Sequence, residues 1–192
     1  MSTTASADNV KPKLEDDQQH QQHQQHQHHQ HHQHDAVYFY GHGAGKPNKE
    51  LSNFYKVPGG FEYNGFTFCT SEQALMFAKA MLMGDGVTAL KIRSATQPLQ
   101  AKCLGRKVKP WDQAKWDANC ENLMRDILVA KFSNPAMKPK LLETVGKQIY
   151  EASASDKIWG IGISVDHAVC GAKHNGRNLL GKALMRAREI LF

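Results

Sequence analysis

The feature that most limits what this chain can fold into is a long run built from two polar residue types. Residues 18–34 are all glutamine or histidine, and eight of the eleven histidines lie there. Such a run has no apolar side chain to bury, so burial cannot offset the entropy that ordering would cost. We therefore expect residues 1–35 to form a disordered tail and residues 36–192 to form the folded body. The tract could bind divalent metal weakly, but a low-complexity expansion is the simpler interpretation.

The folded body is strongly basic. Two lysines and five acidic residues give residues 1–35 a formal charge of −3, and because the whole chain carries +6, residues 36–192 carry +9. A basic surface suits an anionic partner, either a nucleotide or a nucleic acid. The body also has the length of one domain with a core of its own.

Several classes of protein are disfavoured. No apolar run could cross a bilayer and the N-terminus lacks the apolar segment of a signal peptide, so we expect a soluble intracellular protein, cytoplasmic with nuclear access open and without a membrane partner. The four cysteines show no short paired spacing, which argues against a zinc site or a disulfide framework. Residues 41–47 (GHGAGKP) are glycine-rich, but Pro47 replaces the Ser or Thr of a phosphate-binding loop, which argues against a nucleoside triphosphatase.

A helix start at Thr70 supplies the most informative carboxylate. Thr70 followed by Gln73 is a capping-box pattern, and good helix formers follow. Glu72 therefore lies in the first turn, where the positive end of the helix dipole favours its ionised form. Lys79 lies two turns further along the same face. Two interpretations are open: Glu72 complements the dipole beside a solvated Lys79, or both side chains face a ligand.

The remaining pattern predicts an α+β fold, a mostly helical single domain with a small β-sheet or hairpin. Asn64 and Gly65 lie between aromatic positions, which is typical of a tight hairpin turn that needs positive φ at its centre. Asn178 is placed to cap the last helix, and Gly181 inside that helix indicates close packing against a neighbour or a ligand. Further strands are predicted at 37–40 and 148–152, and further helices at 87–93, from 98, at 112–132 and at 137–145.

Two tryptophans are candidates for ligand contacts. Trp116, near the start of the long helix, either joins the core or exposes a ring face to a site. The second lies in a segment with an acid and two glycines, namely Asp156, Trp159, Gly160 and Gly162. An indole beside glycines that permit close backbone approach suits a pocket for a flat base or a sugar phosphate. The alternative is a buried Trp159 that anchors a glycine-rich turn.

Five motifs occur in the order and approximate spacing of a known family. They are LSNF at 51–54, SEQ at 71–73 with KA at 79–80, GR at 105–106 ahead of KW at 115–116, Asp156 with WGIG at 159–162, and GRNLLG at 176–181 with LM at 184–185 and Arg188. On these motifs the chain resembles the NADAR (YbiA-like) family. The resemblance covers the body and none of the tail. No family motif matches residues 41–49 or the segment between Ser164 and Asn175.

The resemblance implies a mostly helical α+β domain that handles ADP-ribose-like ligands and cleaves N-glycosidic bonds. Members of the family act on phosphorylated riboflavin-pathway intermediates or remove ADP-ribose from guanine in nucleic acid. ADP-ribose or ADP-ribosylated nucleic acid is therefore the expected substrate, and neither a metal nor a cofactor is expected. The matched motifs imply catalytic roles for Glu72, Asp156 and Lys79, and ligand contacts for Trp116, Trp159, Gly160, Gly162, Asn53 and Asn178.

These residue types suit the chemistry. Cleavage of ribose from a base passes through an oxocarbenium-like state, which a carboxylate at Glu72 would stabilise while it activates water. Asp156 would protonate the departing nitrogen if burial raises its pKa, or would hold ribose hydroxyls. Lys79 would bind a phosphate, neutralise Glu72 or, if deprotonated, form an imine with the opened sugar.

Three functions remain open at this point. They are hydrolysis of ADP-ribose from guanine in DNA or RNA, N-glycosidic cleavage of a small riboflavin-pathway nucleotide, and non-catalytic binding of ADP-ribose or NAD. The basic body favours the first. Retention of both Glu72 and Asp156 argues against the third.

Overall fold

A computed structural model describes residues 36–192, so the predicted disordered tail at 1–35 lies outside the described residues. The strands of the described part are β1 (Ala36–Phe39), β2 (Phe61–Tyr63), β3 (Phe66–Phe68) and β4 (Gln148–Glu151). Its α-helices are α1 (Ser71–Leu82), α2 (Gly86–Arg93), α3 (Pro98–Gly105), α4 (Gln113–Ser133), α5 (Lys138–Leu142), α6 (Val165–Val169) and α7 (Leu179–Leu191), and a 3-10 turn covers Lys49–Leu51. The predicted mostly helical α+β fold is confirmed.

The strands form two small sheets. β1 pairs with β4 in parallel, with Ala36 opposite Gln148 and Phe39 opposite Glu151. β2 and β3 form an antiparallel hairpin. Asn64 and Gly65 at its turn have φ values of 49° and 78°, so the predicted hairpin is confirmed in its backbone conformation as well as its position.

The helices supply most of the core. α1 is the central element and packs against α2, α3 and α4, while α4 also packs along α7. α7 in turn lies against β4. Fully buried side chains join these layers, among them Phe39, Phe68, Ile92, Met124, Ile127, Leu128, Phe132, Ile149, Leu180 and Leu184. None of the helices between Ala36 and Phe192 is long and apolar enough to span a membrane.

Helix boundaries follow the predictions where local capping decides them. The side chain of Asp112 accepts a hydrogen bond from Lys115 N, and α4 runs from Gln113 to Ser133 where 112–132 was predicted. The helix predicted at 137–145 is shorter, because α5 ends at Leu142 and residues 143–146 continue as turns. α6 is not among the predicted helices.

The start of α7 departs from the predicted cap. Asn178 occupies the N-cap position with φ 54°, and its side chain makes no cap hydrogen bond. Instead Nδ2 donates to Ile149 O at 2.9 Å, and Oδ1 accepts from Glu151 N at 3.1 Å. The predicted close packing at Gly181 is confirmed, because a Cβ there would overlap Ile149 O and the Asn178 amide.

Candidate active site

A cavity of about 380 Å³ opens where α1 begins, between the ends of α3 and β4 and the start of α4. Cavities of this size are typical of small-ligand sites. Three carboxyl groups, three cations and three aromatic rings are among the side chains that line it: Glu72, Glu151, Asp156, Lys79, Lys102, Arg106, Phe54, Trp116 and Trp159. Ser52, Asn53, Leu75, Met76 and Ile158 complete the lining.

The α1 entrance positions Glu72. Thr70 Oγ1 accepts a hydrogen bond from Gln73 N at 3.2 Å, which confirms the predicted cap. Glu72 N donates to Asn53 O at 2.9 Å, so the first turn of α1 is tied to the segment that carries Asn53. The side chain of Glu72 faces the cavity rather than the solvated flank of the helix, and only 5% of the residue is exposed.

Gln73 anchors the same turn from the other side. Its Oε1 accepts from Cys69 N at 3.3 Å rather than from the Thr70 N–H that a capping box uses. Its Nε2 donates to three carbonyl oxygens at the end of α2, those of Ile92, Arg93 and Ala95, at 2.9 to 3.1 Å. The α1 entrance is therefore fixed to α2 as well as capped locally.

Burial raises the pKa of Glu72 to about 7. Lys102, Lys79 and Arg106 act in the opposite direction and lower this pKa, whereas Asp156 raises it. A carboxyl group with this pKa exists in both protonation states near neutral pH, and groups so perturbed concentrate at functional sites. Glu72 is therefore equipped to exchange a proton with a ligand or with water.

Lys79 lies between two indoles. Its Nζ is 4.4 Å from the centroid of the Trp111 ring and 5.4 Å from that of the Trp116 ring. Burial lowers the pKa of Lys79, while the Glu72 charge raises it. The two rings bind the ammonium by cation–π attraction and so orient a side chain that lines the cavity.

The turn after β4 presents Asp156 and Trp159. Asp156 Oδ1 accepts hydrogen bonds from Ile158 N at 2.9 Å and from Trp159 N at 2.8 Å. This closes a tight turn and leaves Asp156 Oδ2 as the oxygen open to a ligand. Trp159 is half-buried and lines the cavity, a position compatible with both interpretations that the sequence left open.

The structure thus brings six of the nine predicted site residues to one cavity: Glu72, Asp156, Lys79, Trp116, Trp159 and Asn53. Gly160, Gly162 and Asn178 do not line it. A Cβ at Gly160 would lie 2.8 Å from Asp156 O and 2.9 Å from Glu151 O, and Gly162 has φ 75°. Both glycines therefore allow the backbone conformation of this segment. The side chain of Asn178 instead binds the backbone of β4.

Four residues at the site were not among the predicted set. Lys102 and Arg106 lie at the end of α3, Glu151 ends β4, and Trp111 contacts Lys79. Burial raises the pKa of Glu151 to about 7, as do the charges of Asp156 and Glu72, while Lys102 lowers it. The basic connector after α3 was a usable signal for Arg106. No sequence signal pointed to Glu151, because a charged residue that ends a strand is usually solvated.

Metal ligation is not indicated within the described part of the chain. Among residues 36–192, no group of three or more His, Cys, Asp or Glu side chains is arranged to hold a metal ion. The donors that line the cavity are carboxylates, ammonium groups, a guanidinium and indoles. This combination has the chemistry that would suit a small anionic ligand with an aromatic ring.

Comparison with known proteins identifies the family of this chain. The NADAR domain model matches residues 38–192, and the chain belongs to the NADAR family. An N-glycosidase of Acanthamoeba polyphaga mimivirus is 40% identical over 79% of this chain and 95% of its own length. The N-glycosidase YbiA of Escherichia coli (strain K12) is 30% identical over 74% of this chain and 81% of its own length.

The fold comparison leads to the same family. The solution structure of Escherichia coli YbiA superimposes with a TM-score of 0.65 at 29% identity, covering 81% of this chain and 84% of that one. The predicted family is therefore confirmed. The predicted enzyme class, a glycosidase that acts on N-glycosyl bonds, is confirmed at that level by the named relatives.

Proposed function

We propose that this chain hydrolyses the bond between a ribose carbon and a base nitrogen, and that its substrate is ADP-ribosylated guanine in DNA or RNA. The observation that carries the proposal is Glu72, a buried carboxyl group in the first turn of α1 that faces a cavity with cations along its rim. The geometry supports a role beneath the sugar carbon from which the base departs.

The reaction needs a negative charge at that point. As the bond to the base lengthens, positive charge develops on the ribose ring, and a preorganised carboxylate stabilises it. The same carboxylate then accepts a proton from the water that adds to the sugar. A pKa of about 7 leaves Glu72 partly ionised at neutral pH, which suits both tasks.

The cations support recognition of phosphate. Lys79, Lys102 and Arg106 lie on the side of the cavity formed by α1 and α3. Two or more cations suit a diphosphate, and the charge of +9 on residues 36–192 suits a nucleic acid beyond it. The lowered pKa of Lys79 also supports the imine-forming role that the sequence left open.

The aromatic and acidic groups support recognition of the nucleoside. Trp116 and Trp159 offer ring faces on which a base would stack. Asp156 Oδ2 is open to accept hydrogen bonds from ribose hydroxyls, since Oδ1 is held by the turn. Asn53, 9% exposed, has its Oδ1 unpaired within the described residues and is a further acceptor at the wall.

A second substrate is favoured by the size of the cavity. A volume of about 380 Å³ suits a single base with a ribose phosphate, the kind of intermediate that occurs in riboflavin synthesis. In that case the three cations would bind one phosphate. Non-catalytic binding of ADP-ribose or NAD is the remaining alternative, and the same carboxylates would then only hold hydroxyl groups.

One experiment separates these functions. An oligonucleotide with ADP-ribosylated guanine and, separately, a pyrimidine ribose-phosphate intermediate are incubated with wild type and with Glu72→Gln, and release of the base is followed by chromatography. Turnover of the oligonucleotide alone, lost in Glu72→Gln, is the expected result. Turnover of the small nucleotide alone would establish the second substrate instead. Saturable binding without release from either probe would overturn the enzymatic proposal.

A further inference from the structure

Glu151 lines the cavity with a carboxyl group whose Oε2 is buried, and the proposed reaction has so far given it no role. It is the last residue of β4, and its backbone is held at both polar atoms. Its N–H donates to Asn178 Oδ1, and its carbonyl oxygen accepts from Ser153 N at 3.0 Å and Ile161 N at 2.8 Å. The side chain therefore extends into the cavity from a fixed point.

The Glu151 carboxyl group has an oxygen that is open to a ligand. Oε2 is buried and has no hydrogen-bond partner among the described residues, although the side chain lines the cavity. A buried polar atom left without a partner costs free energy, so such an atom needs an explanation. A substrate group seated in the cavity would supply the missing partner.

The charges around the two glutamates are unequal. Three cations, Lys79, Lys102 and Arg106, favour the ionised form of Glu72. For Glu151, Lys102 alone among the described residues acts in that direction, while Asp156 and Glu72 both oppose ionisation. When one proton is shared between two neighbouring carboxyl groups, it resides on the group with fewer cations around it. The nearby cations therefore favour charge on Glu72, and Glu151, with fewer cations around it, is the better placed of the two to hold a proton.

Asp156 is less suited to donate a proton. Its Oδ1 accepts hydrogen bonds from two backbone N–H groups, those of Ile158 and Trp159, and these close the turn that carries Trp159. Its carboxyl group is therefore used in part to shape the site. By contrast, Glu151 Oε2 makes no hydrogen bond within residues 36–192.

We propose that Glu151 is the proton donor to the departing base nitrogen. This rests on the N-glycosyl hydrolysis proposed above. As the bond between the ribose carbon and nitrogen breaks, its electron pair moves to the nitrogen, which takes the proton of the Glu151 carboxyl group. Water adds to the ribose carbon and gives its proton to the Glu72 carboxylate. The cycle ends when the proton on Glu72 is released and Glu151 regains one from solvent, so that atoms and charge balance.

A direct test needs no substrate. Glutamate carboxyl carbons are labelled with carbon-13, and their resonances are titrated by NMR in wild type, Glu72→Gln and Glu151→Gln, which assign the two signals. We expect the Glu151 signal to keep its protonated shift to higher pH than the Glu72 signal. The reverse order would overturn the proposal. In Glu72→Gln the Glu151 midpoint should fall, because one repelling charge is removed.

A kinetic test uses whichever probe the wild type cleaves. Glu151→Gln should lower kcat/KM about 100-fold and remove the alkaline limb of its pH profile, whereas Asp156→Asn should keep that limb. Glu151→Ala, which leaves space in the cavity, should regain activity with added formate. Loss of activity without a change in the profile and without rescue would assign Glu151 a structural role.

Different results would overturn the proposed hydrolysis and the proposed role of Glu151. Wild type that cleaves neither probe would overturn the proposed function and the role of Glu151 with it. Wild-type turnover together with an unchanged Glu151→Gln profile would overturn the role of Glu151 alone. Circular dichroism and urea unfolding confirm that each variant is folded before its kinetics are compared.

Discussion

α1 and α7 both start after a residue type that favours the N-cap position, but the two side chains make different bonds. At α1, Thr70 caps the helix through its side chain, and the cap positions Glu72 at the cavity. At α7, Asn178 has a left-handed backbone, and its side chain binds the backbone of β4 at two points. One entrance therefore places a carboxyl group at the cavity, while the other holds the strand that carries Glu151.

The two entrances also differ in how well their polar groups are satisfied. Within residues 36–192, three buried side-chain oxygens have no hydrogen-bond partner: Asn53 Oδ1, Ser71 Oγ and Glu151 Oε2. Two of these residues line the cavity, and Ser71 precedes Glu72 in α1. Both polar atoms of the Asn178 amide are paired. Unpaired polar atoms near the cavity therefore lower the stability of the fold there, whereas the paired Asn178 amide stabilises the contact between α7 and β4.

The largest expected effect is on catalysis at the α1 entrance. Glu72→Gln keeps the shape of the side chain but removes its charge, so kcat/KM for base release should fall roughly 10³-fold. Steady-state kinetics on the cleaved probe measure it. Ser71→Ala is the matched control at the same entrance and should stay within about threefold of wild type. A Glu72→Gln variant within about tenfold would show that the charge is not used.

Ionisation of Glu72 at the start of α1 should make the free energy of unfolding depend on pH. Because the pKa of Glu72 is raised from 4.5 to about 7, the folded state holds its proton more tightly than the unfolded chain. The contribution of Glu72 to the free energy of unfolding is therefore greatest below about pH 4.5 and is lost as pH rises toward 7. Glu72→Gln should remove this loss and exceed wild type by up to about 3 kcal/mol at about pH 8.

Urea unfolding of both proteins at about pH 4.5 and pH 8 checks that prediction. The difference between variant and wild type should grow with pH. A constant difference would mean that Glu72 ionises in the folded protein as it does in the unfolded chain.

At the α7 entrance the expected effect is on stability. Asn178→Gly keeps the positive φ but removes both side-chain hydrogen bonds, at about 1 kcal/mol each, so the free energy of unfolding should fall by about 2 kcal/mol. Asn64→Gly is the control, since Asn64 also has positive φ (49°) but is exposed in a hairpin turn. That control should change stability by less than about 0.5 kcal/mol. Equal effects at the two positions would mean that the β4 tether contributes nothing.

The smallest effect is expected at the cap of α1. Thr70→Ala removes the acceptor of the Gln73 N–H and should lower the free energy of unfolding by about 1 kcal/mol. Thr70→Ser retains the oxygen and should restore most of the loss. Thermal and urea unfolding measure both. If Thr70→Ala were neutral, the Gln73 side chain alone would be sufficient to fix the first turn.

Features that depend on neighbours in sequence were predicted well. The hairpin at Asn64 and Gly65, the cap at Thr70 and the start of the long helix after Asp112 each depend on residues within four positions of one another. Asn178 does occupy the predicted N-cap position, but the expected side-chain cap bond is absent for the converse reason. Its side chain binds Ile149 and Glu151, which lie far from it in sequence, and these bonds replaced the local one.

Only the site residues that belong to a local sequence motif were predicted. Motif resemblance placed Glu72, Trp116 and Trp159 together, and the structure brings them to one cavity. Glu151 and Lys102 were missed, because neither shows a local pattern that separates it from a solvated surface residue. What makes them part of the site is the packing of α3 and β4 around the α1 entrance.

By itself the sequence determined that a helix begins after Thr70 with a carboxylate in its first turn, since capping and dipole act within a few residues. Only the tertiary structure decided that this carboxylate is buried and has Lys102, Arg106 and Glu151 near it. Burial and the surrounding charges come from segments distant in sequence, and they set the pKa of Glu72 near 7. The local sequence thus supplied the acid, and the fold supplied the conditions under which it can act.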